Sequence, residues 1–466
     1  MESTTQHPLL DAAHPWAAPP SSAERLAAGK AIRARTPRNG LGTLAPRTRD
    51  ALAILDEQNA TRLPELVSLR VQRMAESAFA FYRGSAAIMA ADLAVEPNTG
   101  IFVPSCGDAH LANFGFYASP QRSLVFDLND FDEAAWAPWE WDLKRLATSV
   151  ILAARFAGRD EQVTRDAVLG TVRAYAAALR ATATMSPLDR FYAHFEAETG
   201  IDNLPESAKR TLQAALKQAR KRTTQRATKK LAVADDDGRL RFVPRPPTML
   251  ELPSEIKKQV YHLLHRYTES SSPEIRQLLH HFTVSDAIRR VVGVGSVGTR
   301  CSLTLFQDGD GHTLILQAKQ AGRSVLEQYG GIAQPRELEE QVAQHGEGAR
   351  VVRMQRVLQA LSDPFLGYLR ADGIDLYVRQ FHDMKGGIDA DTVDDESFNT
   401  YARSCGLTLA RAHSQSQLSA IVSGCIGGGW RLGEAIWEWG NAYAERVESD
   451  HRAFCAQHRE LLGHAD

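Results

Sequence analysis

Residues 291–306 read VVGVGSVGTRCSLTLF, a complete G-x-G-x-x-G behind two valines. That spacing has two readings. In a dinucleotide-binding turn the third glycine opens a helix, and the next dozen residues carry apolar side chains at a period near 3.6. Here the chain alternates with period two instead. Arg300, Ser302, Thr304 and Phe306 share one face and Cys301, Leu303 and Leu305 the other, up to the turn-forming run Asp308-Gly309-Asp310-Gly311. A second strand-like run, Thr313 to Lys319, ends in a lysine. The segment therefore reads as strand, glycine loop, strand, turn, strand, lysine. Glycines in such a loop let backbone amides approach phosphate oxygens. This makes Gly293, Gly295, Ser296, Gly298 and Lys319 candidate nucleotide-binding residues.

Composition narrows the classes. With 466 residues, 44% of them apolar and 24% charged, the chain has room for two or three lobes of ordinary globular character. A formal net charge of −2 argues against a polyelectrolyte partner for the whole protein. Cys106, Cys301, Cys405, Cys425 and Cys455 are scattered, without a C-x-x-C pair, so neither a disulfide framework nor a thiolate zinc site is expected, and a reducing cytoplasm fits. No apolar run is long enough for export or a membrane span. The stretch Lys209 to Lys230 holds nine Lys or Arg and no acid. It reads as a solvated helix face in preference to a nucleic-acid contact.

Along the chain, residues 1–48 are rich in Ala, Pro and Ser and read as a partly ordered basic tail. Residues 49–185 form a large-lobe segment, 186–284 a helical and basic linker region, 285–385 a small lobe around the glycine hairpin, and 386–466 a helical return to the large lobe.

A second motif stands far upstream. Residues 101–115, IFVPSCGDAHLANFG, are an apolar strand followed by G-D-x-H-x-x-N. Phosphoryl transfer needs a carboxylate for the proton of the attacking hydroxyl and a metal ligand close behind it; in kinases these are an Asp and an Asn five positions later. Asp108 and Asn113 have that spacing. A second carboxylate, at the end of the next strand, must hold Mg²⁺ against the phosphates. Leu124-Val125-Phe126 supplies the strand, and Asp127, Asp130 and Asp132 are the candidates. His110 reads as an orienter of the loop. Arg83, in FAFYRG, either reaches phosphate or pairs with a carboxylate inside the large lobe, and the structural role is favoured. Tyr377-Val378-Arg379-Gln380 ends a strand where an adenine would meet backbone amides, so Val378 and Gln380 are candidate base-binding positions; a plain buried strand end is the alternative.

GDAHLANFG followed by NDFDEAAWAPWEWDL resembles the aminoglycoside and choline phosphotransferase branch of the protein-kinase-like superfamily. In that branch the metal Asp stands about twelve residues before the Asp of a D-L pair, which implies Asp130, counting back from Asp142. CGLTLARAHS, residues 405–414, is similar to the helix that runs into the catalytic loop there. The glycine loop and Lys319 come about 180 residues after Asp108, not before it, which implies a circular permutation. FAFYRG, CGDAHLANFG, FDLNDFDE, WEWDLKRL, VGVGSVGTRC, YVRQ and LARAH together resemble the bacterial domain-of-unknown-function family 2252, from about residue 28 to about residue 415. The expected fold is α+β: a two-lobed, circularly permuted protein-kinase-like fold with a small antiparallel-sheet lobe and a large mainly helical lobe.

The expected function is ATP-dependent phosphoryl transfer to a hydroxyl on an unidentified small molecule or protein, with ATP and Mg²⁺ as cofactors. Gly293, Gly295 and Gly298 would cover the phosphates and Lys319 would contact the α- and β-phosphates. Asn113 and Asp130 would hold the metal and Asp108 would take the proton. A non-catalytic nucleotide sensor and a nucleotidyl transferase on the same site are the alternatives. One departure bears on this. Where the family usually has V-V-E-G-Q-R, this chain has Val351-Val352-Arg353-Met354-Gln355-Arg356. Without that Glu, Lys319 must pair with Glu327, Glu347 or another carboxylate.

Overall fold

A computed structural model describes residues 18–463 apart from 200, 292, 382 and 383. It is a mixed α+β structure. Of the tail, residues 1–17 lie outside the described residues, but Ser22–Arg35 forms a helix, α1, closed at its start by a capping box between Ser21 and Glu24. Its Gly29 lies directly against the backbone of residues 421–425, so close that a Cβ would overlap the Ile421 carbonyl. The apolar pattern over 52–93 breaks into α2 (Ala51–Ala60), α3 (Pro64–Ala75), α4 (Ala78–Arg83) and α5 (Ala86–Leu93). Pro64 sits at the start of α3 and the Ser77 hydroxyl caps α4, so neither helix continues its predecessor.

Two antiparallel ribbons follow, one nested inside the other. β1 (Phe102–Ser105) pairs with β4 (Ala135–Pro138), while β2 (Phe114–Ala118) pairs with β3 (Leu124–Leu128). The loops β1–β2 and β3–β4 therefore start from adjacent strand ends. Behind them stand α6 (Trp139–Phe156), buried along most of its length, and α7 (Glu161–Ala183). After α8 (Pro187–Tyr192), the basic stretch forms α9 (Glu206–Arg220) and α10 (Thr224–Leu231).

In the rest of the region read as a linker, one strand joins the main sheet, while a separate hairpin and two helices pack against it. A small hairpin, β5 (Ala232–Ala234) with β6 (Leu240–Phe242), precedes β7 (Met249–Glu251), α11 (Ser254–Ser270) and α12 (Pro273–Leu279). The alternating segment becomes β8 (Thr283–Arg290), β9 (Cys301–Gln307) and β10 (Thr313–Gln320). Then come α13 (Val325–Gln328), α14 (Arg336–His345), α15 (Glu347–Leu358), β11 (Gly367–Ala371) and β12 (Ile374–Gln380). These strands form one antiparallel six-stranded sheet in the order β11-β12-β10-β9-β8-β7. Period two gives it two unlike faces. Phe306, Leu314, Leu316, Leu369 and Val378 pack with Tyr267 of α11 and Ile275 and Leu279 of α12. Ile288, Leu303, Leu305 and Ile315 pack with Ala232, Phe242, Met249 and Phe381. An apolar sheet face needs cover, and residues 224–282 supply it on both sides.

The chain closes with α16 (Asp395–His413), α17 (Ser419–Ile426), α18 (Trp430–Gln457) and α19 (Arg459–Leu462). Small residues let the helices meet: a Cβ at Gly406 of α16 would overlap the Thr171 carbonyl of α7. Among the described residues no helix is long and apolar enough to cross a membrane.

Candidate functional site

The turn after β1 is held from below. Gly107 takes φ +76°, and a Cβ there would overlap the Glu133 carbonyl, so two loops touch at a position only glycine fills. Asp142, in the first turn of α6, accepts from the amides of Cys106 (2.8 Å) and Gly107 (3.0 Å). His413, at the end of α16, places Nε2 3.2 Å from the same carboxylate, and the Tyr175 hydroxyl lies 2.8 Å from its Nδ1. The D-L pair and the A-H pair thus act together as a pedestal for the turn that carries Asp108.

Asp108 is fixed on one side only. Arg145 Nε donates to its Oδ1 at 2.6 Å, and Arg145 is itself anchored on the Tyr82 carbonyl and over the Tyr82 ring. Asn113 Nδ2 donates to the Asp108 carbonyl at 2.8 Å, which leaves the amide oxygen of Asn113 unused by that bond. His110 Nε2 lies 3.6 Å from Asp108 Oδ2, and burial pushes its pKa down to about 4, so the ring is neutral near pH 7. Arg145 was not among the expected site residues. Its signal was available: it lies three positions after Asp142 on the same helix face.

The end of β3 and the loop from it to β4 carry the three candidate aspartates, and their settings differ. Asp127 is buried and accepts from the Leu128 and Ala360 amides, a purely structural role. Asp132 has both oxygens committed, Oδ2 to Lys319 Nζ at 2.5 Å and Oδ1 to the Tyr377 hydroxyl at 2.6 Å. Asp130 is the one with spare capacity. Its carboxylate is 36% exposed, with Oδ1 3.9 Å from Lys319 Nζ and 3.4 Å from the Asp132 amide. Burial alone would raise its pKa, but Lys319, Arg379 and Lys385 outweigh that and hold it at about 2. Lys319 itself is 2% exposed.

The partner of Lys319 is therefore Asp132. Glu327 is paired with Arg323 and Glu347 with Arg350. Arg353 does not occupy the space beside the lysine at all; it is 39% exposed and pairs with Glu337 of α14. One turn earlier, Arg350 points inward and donates to the carbonyls of Asp132, Ala134 and Gly322. It ties α15 to the aspartate loop.

The glycine loop is braced from outside by the N-terminal helices. The Leu63 amide donates to the Gly298 carbonyl (2.8 Å), Arg62 Nη1 to the Val297 carbonyl (2.5 Å) and Arg73 Nη1 to the Gly293 carbonyl (2.5 Å). Beneath it lies a cavity of about 410 Å³ lined by Gly293, Gly295 and Ser296 on one side and by Asp108, His110, Asn113, Asp130, Asp132 and Glu133 on the other. Lys319 reaches this group through Asp130 and Asp132, and Gly298 (φ +90°) sits over Arg62 at the rim. Arg62 and Arg83 also line the cavity. Arg83 is not held in an internal ion pair, as its structural reading required: among the described residues no carboxylate lies within 4 Å of it.

Val378 and Gln380 are not brought to this cavity. Val378 lies in a central strand between Ala318 and Gly367, with its side chain on the face covered by α11 and α12. The Gln380 amide donates to Asp363 Oδ2 at 2.6 Å, and its side chain borders a separate cavity of about 460 Å³ with Gln317, Arg379 and Lys385. Strand alternation decides this, because it is Tyr377 and Arg379 that face the side of Lys319.

No curated protein and no solved structure matches the chain. The model of a family described as "Uncharacterized protein conserved in bacteria (DUF2252)" matches residues 62–457, starting later and running further than the motif strings implied, and the chain belongs to that family.

Proposed function

We propose that the protein is an ATP-dependent phosphotransferase with a circularly permuted, two-lobed kinase-like fold. The observation that carries this reading is convergence. The glycine loop, the Asp108–Asn113 turn, Asp130 and Asp132 border one cavity, with Lys319 bound to the two aspartates, although Lys319 and Asp132 are 187 positions apart. The sheet supports it further: the glycine loop joins β8 to β9, the lysine is on the next strand and α15 follows, the arrangement of a kinase small lobe.

In this reading the amides of the glycine loop and Lys319 hold the phosphates of ATP. The acceptor hydroxyl hydrogen-bonds to the open oxygen of Asp108 and gives its proton there as its oxygen bonds to the γ-phosphorus. The bond from that phosphorus to the β,γ-bridging oxygen breaks, and ADP leaves with the electron pair. Asn113 and Asp130 offer hard oxygen donors, one of them an ionised carboxylate with spare capacity, which suits Mg²⁺. Bound there, Mg²⁺ neutralises charge on the β- and γ-phosphates. The sensor alternative drew on Arg353, and an exposed Arg353 paired with Glu337 removes that support.

ATP with Mg²⁺ is expected to raise the melting temperature, since a ligand present at 100 times its Kd stabilises the native state by about 2.7 kcal/mol. Asp130→Ala is expected to abolish the Mg²⁺-dependent part of the shift. Stabilisation by a nicotinamide dinucleotide and not by ATP would sink the proposal. Transfer itself is read with γ-labelled ATP and a metabolite extract.

A further inference from the structure

One wall of the cavity is made by the end of α2, the link to α3 and the end of α4, and it carries two arginines, Arg62 and Arg83, that have no carboxylate within 4 Å among the described residues; Arg70, fully buried, is not part of the lining. Arg62, Arg70 and Arg83 each have an Nε that is buried and without a hydrogen-bond partner. Arg70 donates only to neutral oxygens, those of Asn59, Gln58 and the Gly84 carbonyl, and so ties the end of α2 to the end of α4. Arg62 donates to the Val297 carbonyl. Arg83 donates no hydrogen bond among the described residues. Burial lowers the pKa of all three, that of Arg62 to about 10. Asp108 pairs with Arg145, Asp132 with Lys319, and Glu133 accepts from the Val325 amide; Asp108, Asp391 and Glu76 act on Arg83, and Glu133 on Arg62, from beyond ion-pair distance.

Arg62 and Arg83 are partly buried, and a partly buried guanidinium with no ion-pair partner in the chain is a favourable place for an anion supplied from outside it. We infer that the anion is part of the acceptor, which is a phosphate monoester bearing a free hydroxyl, and that Arg83, with Arg62 lining the same cavity, sets this specificity. The inference rests on the phosphotransferase reading and adds the substrate class. Position separates the acceptor from the donor. The charge that acts most strongly on Arg83 is Asp108, the group that meets the acceptor hydroxyl, whereas the donor phosphates have Lys319 and the glycine amides. Charge selects phosphate over carboxylate, because a dianion neutralises two guanidinium groups and a carboxylate only one.

The test uses the full chain saturated with Mg²⁺ and a non-hydrolysable ATP analogue, so that the donor phosphate positions are filled. Inorganic phosphate is then titrated calorimetrically, with acetate and glucosamine as the carboxylate and cationic arms. Phosphate is expected to bind, acetate at least tenfold more weakly and glucosamine not at all. Arg83→Met is expected to weaken phosphate at least tenfold while changing analogue affinity less than twofold, and Arg83→Lys, which keeps the charge and guards against misfolding, to recover part of the loss. Preference for glucosamine or acetate, no phosphate binding beside the analogue, or an equal loss of analogue affinity in Arg83→Met would overturn the inference. If the analogue does not bind, the phosphotransferase reading fails by itself. Phosphate titrated into the nucleotide-free protein then decides the anion site separately: binding that Arg83→Met removes upholds it, and binding indifferent to Arg83 ends it.

Discussion

Asp108 shows how little of a reactive group's setting lies in its own neighbourhood of sequence. Its spacing to Asn113 is readable in the chain, and so, with helix geometry, is Arg145, three positions after Asp142. Counting back from Asp142 singles out Asp130 among Asp127, Asp130 and Asp132; what no spacing shows is that Asp132 has neither oxygen to spare, because a strand 245 positions away, carrying Tyr377, engages one of them. The same holds for Arg353. It stands where the resemblance leads us to expect an acid, but Arg350 is the residue of that helix turned toward the aspartate loop, and Arg353 faces α14. In the proposed reaction Asp108 acts in the transition state, so Asp108→Asn should lower turnover by roughly 10²- to 10⁴-fold with nucleotide affinity within about twofold. Lys319→Met should reduce both, since it removes a phosphate contact. Single-turnover kinetics beside nucleotide titrations separate the two; equal residual ATP consumption in wild type and Asp108→Asn would count against a catalytic role.

The hairpin lobe was legible as strands because period two persists from Arg300 through Lys319, and a helix cannot bury such a pattern on one side. Its cover was not legible. Residues 224–282 have short strands and a basic, weakly apolar look, and they pack over the sheet because both of its faces are apolar and unstable if wetted. The glycines of the loop differ in what they tolerate. At Gly298, φ is +90° and an added Cβ would stand 3.0 Å from Arg62, whereas Gly309, in the β9–β10 turn, has open space around it. Gly298→Ala should therefore destabilise by about 1–3 kcal/mol and weaken nucleotide binding. Gly309→Ala should stay within about 0.5 kcal/mol of wild type. Urea midpoints with and without nucleotide check the pair, and matching losses would mean that the loop is not specially constrained.

Buried ionisable groups make the stability of the entire molecule depend on pH. Burial raises Glu133 from 4.5 to about 7, although the Val325 amide and Arg350 oppose it. Between those values the folded chain binds more protons at this site than the unfolded chain, so stability falls as pH rises from 4.5 to about 7. His110 works in the other direction: lowered to about 4, it contributes stability that is present above pH 6.5 and lost as pH falls toward 4. Glu133→Gln keeps an acceptor for the Val325 amide and cannot ionise. The wild-type-minus-variant difference in unfolding free energy should decline across pH 4.5–7 and be level above it; a flat difference would place Glu133 in water. Period and spacing, which are properties of neighbouring residues, carried the strand lobe, the helical segments and the Asp108–Asn113 turn. Pairing carried the rest. Which aspartate takes Lys319, which way Arg350 turns, and that Arg62 and Arg83 come to the same cavity as Asp130 depend on groups far apart in the chain meeting in a low-dielectric interior, 187 positions for Lys319 and Asp132 and 218 for Arg350 and Asp132. Charge and burial act there through distance in space, which the order of residues along the chain does not encode.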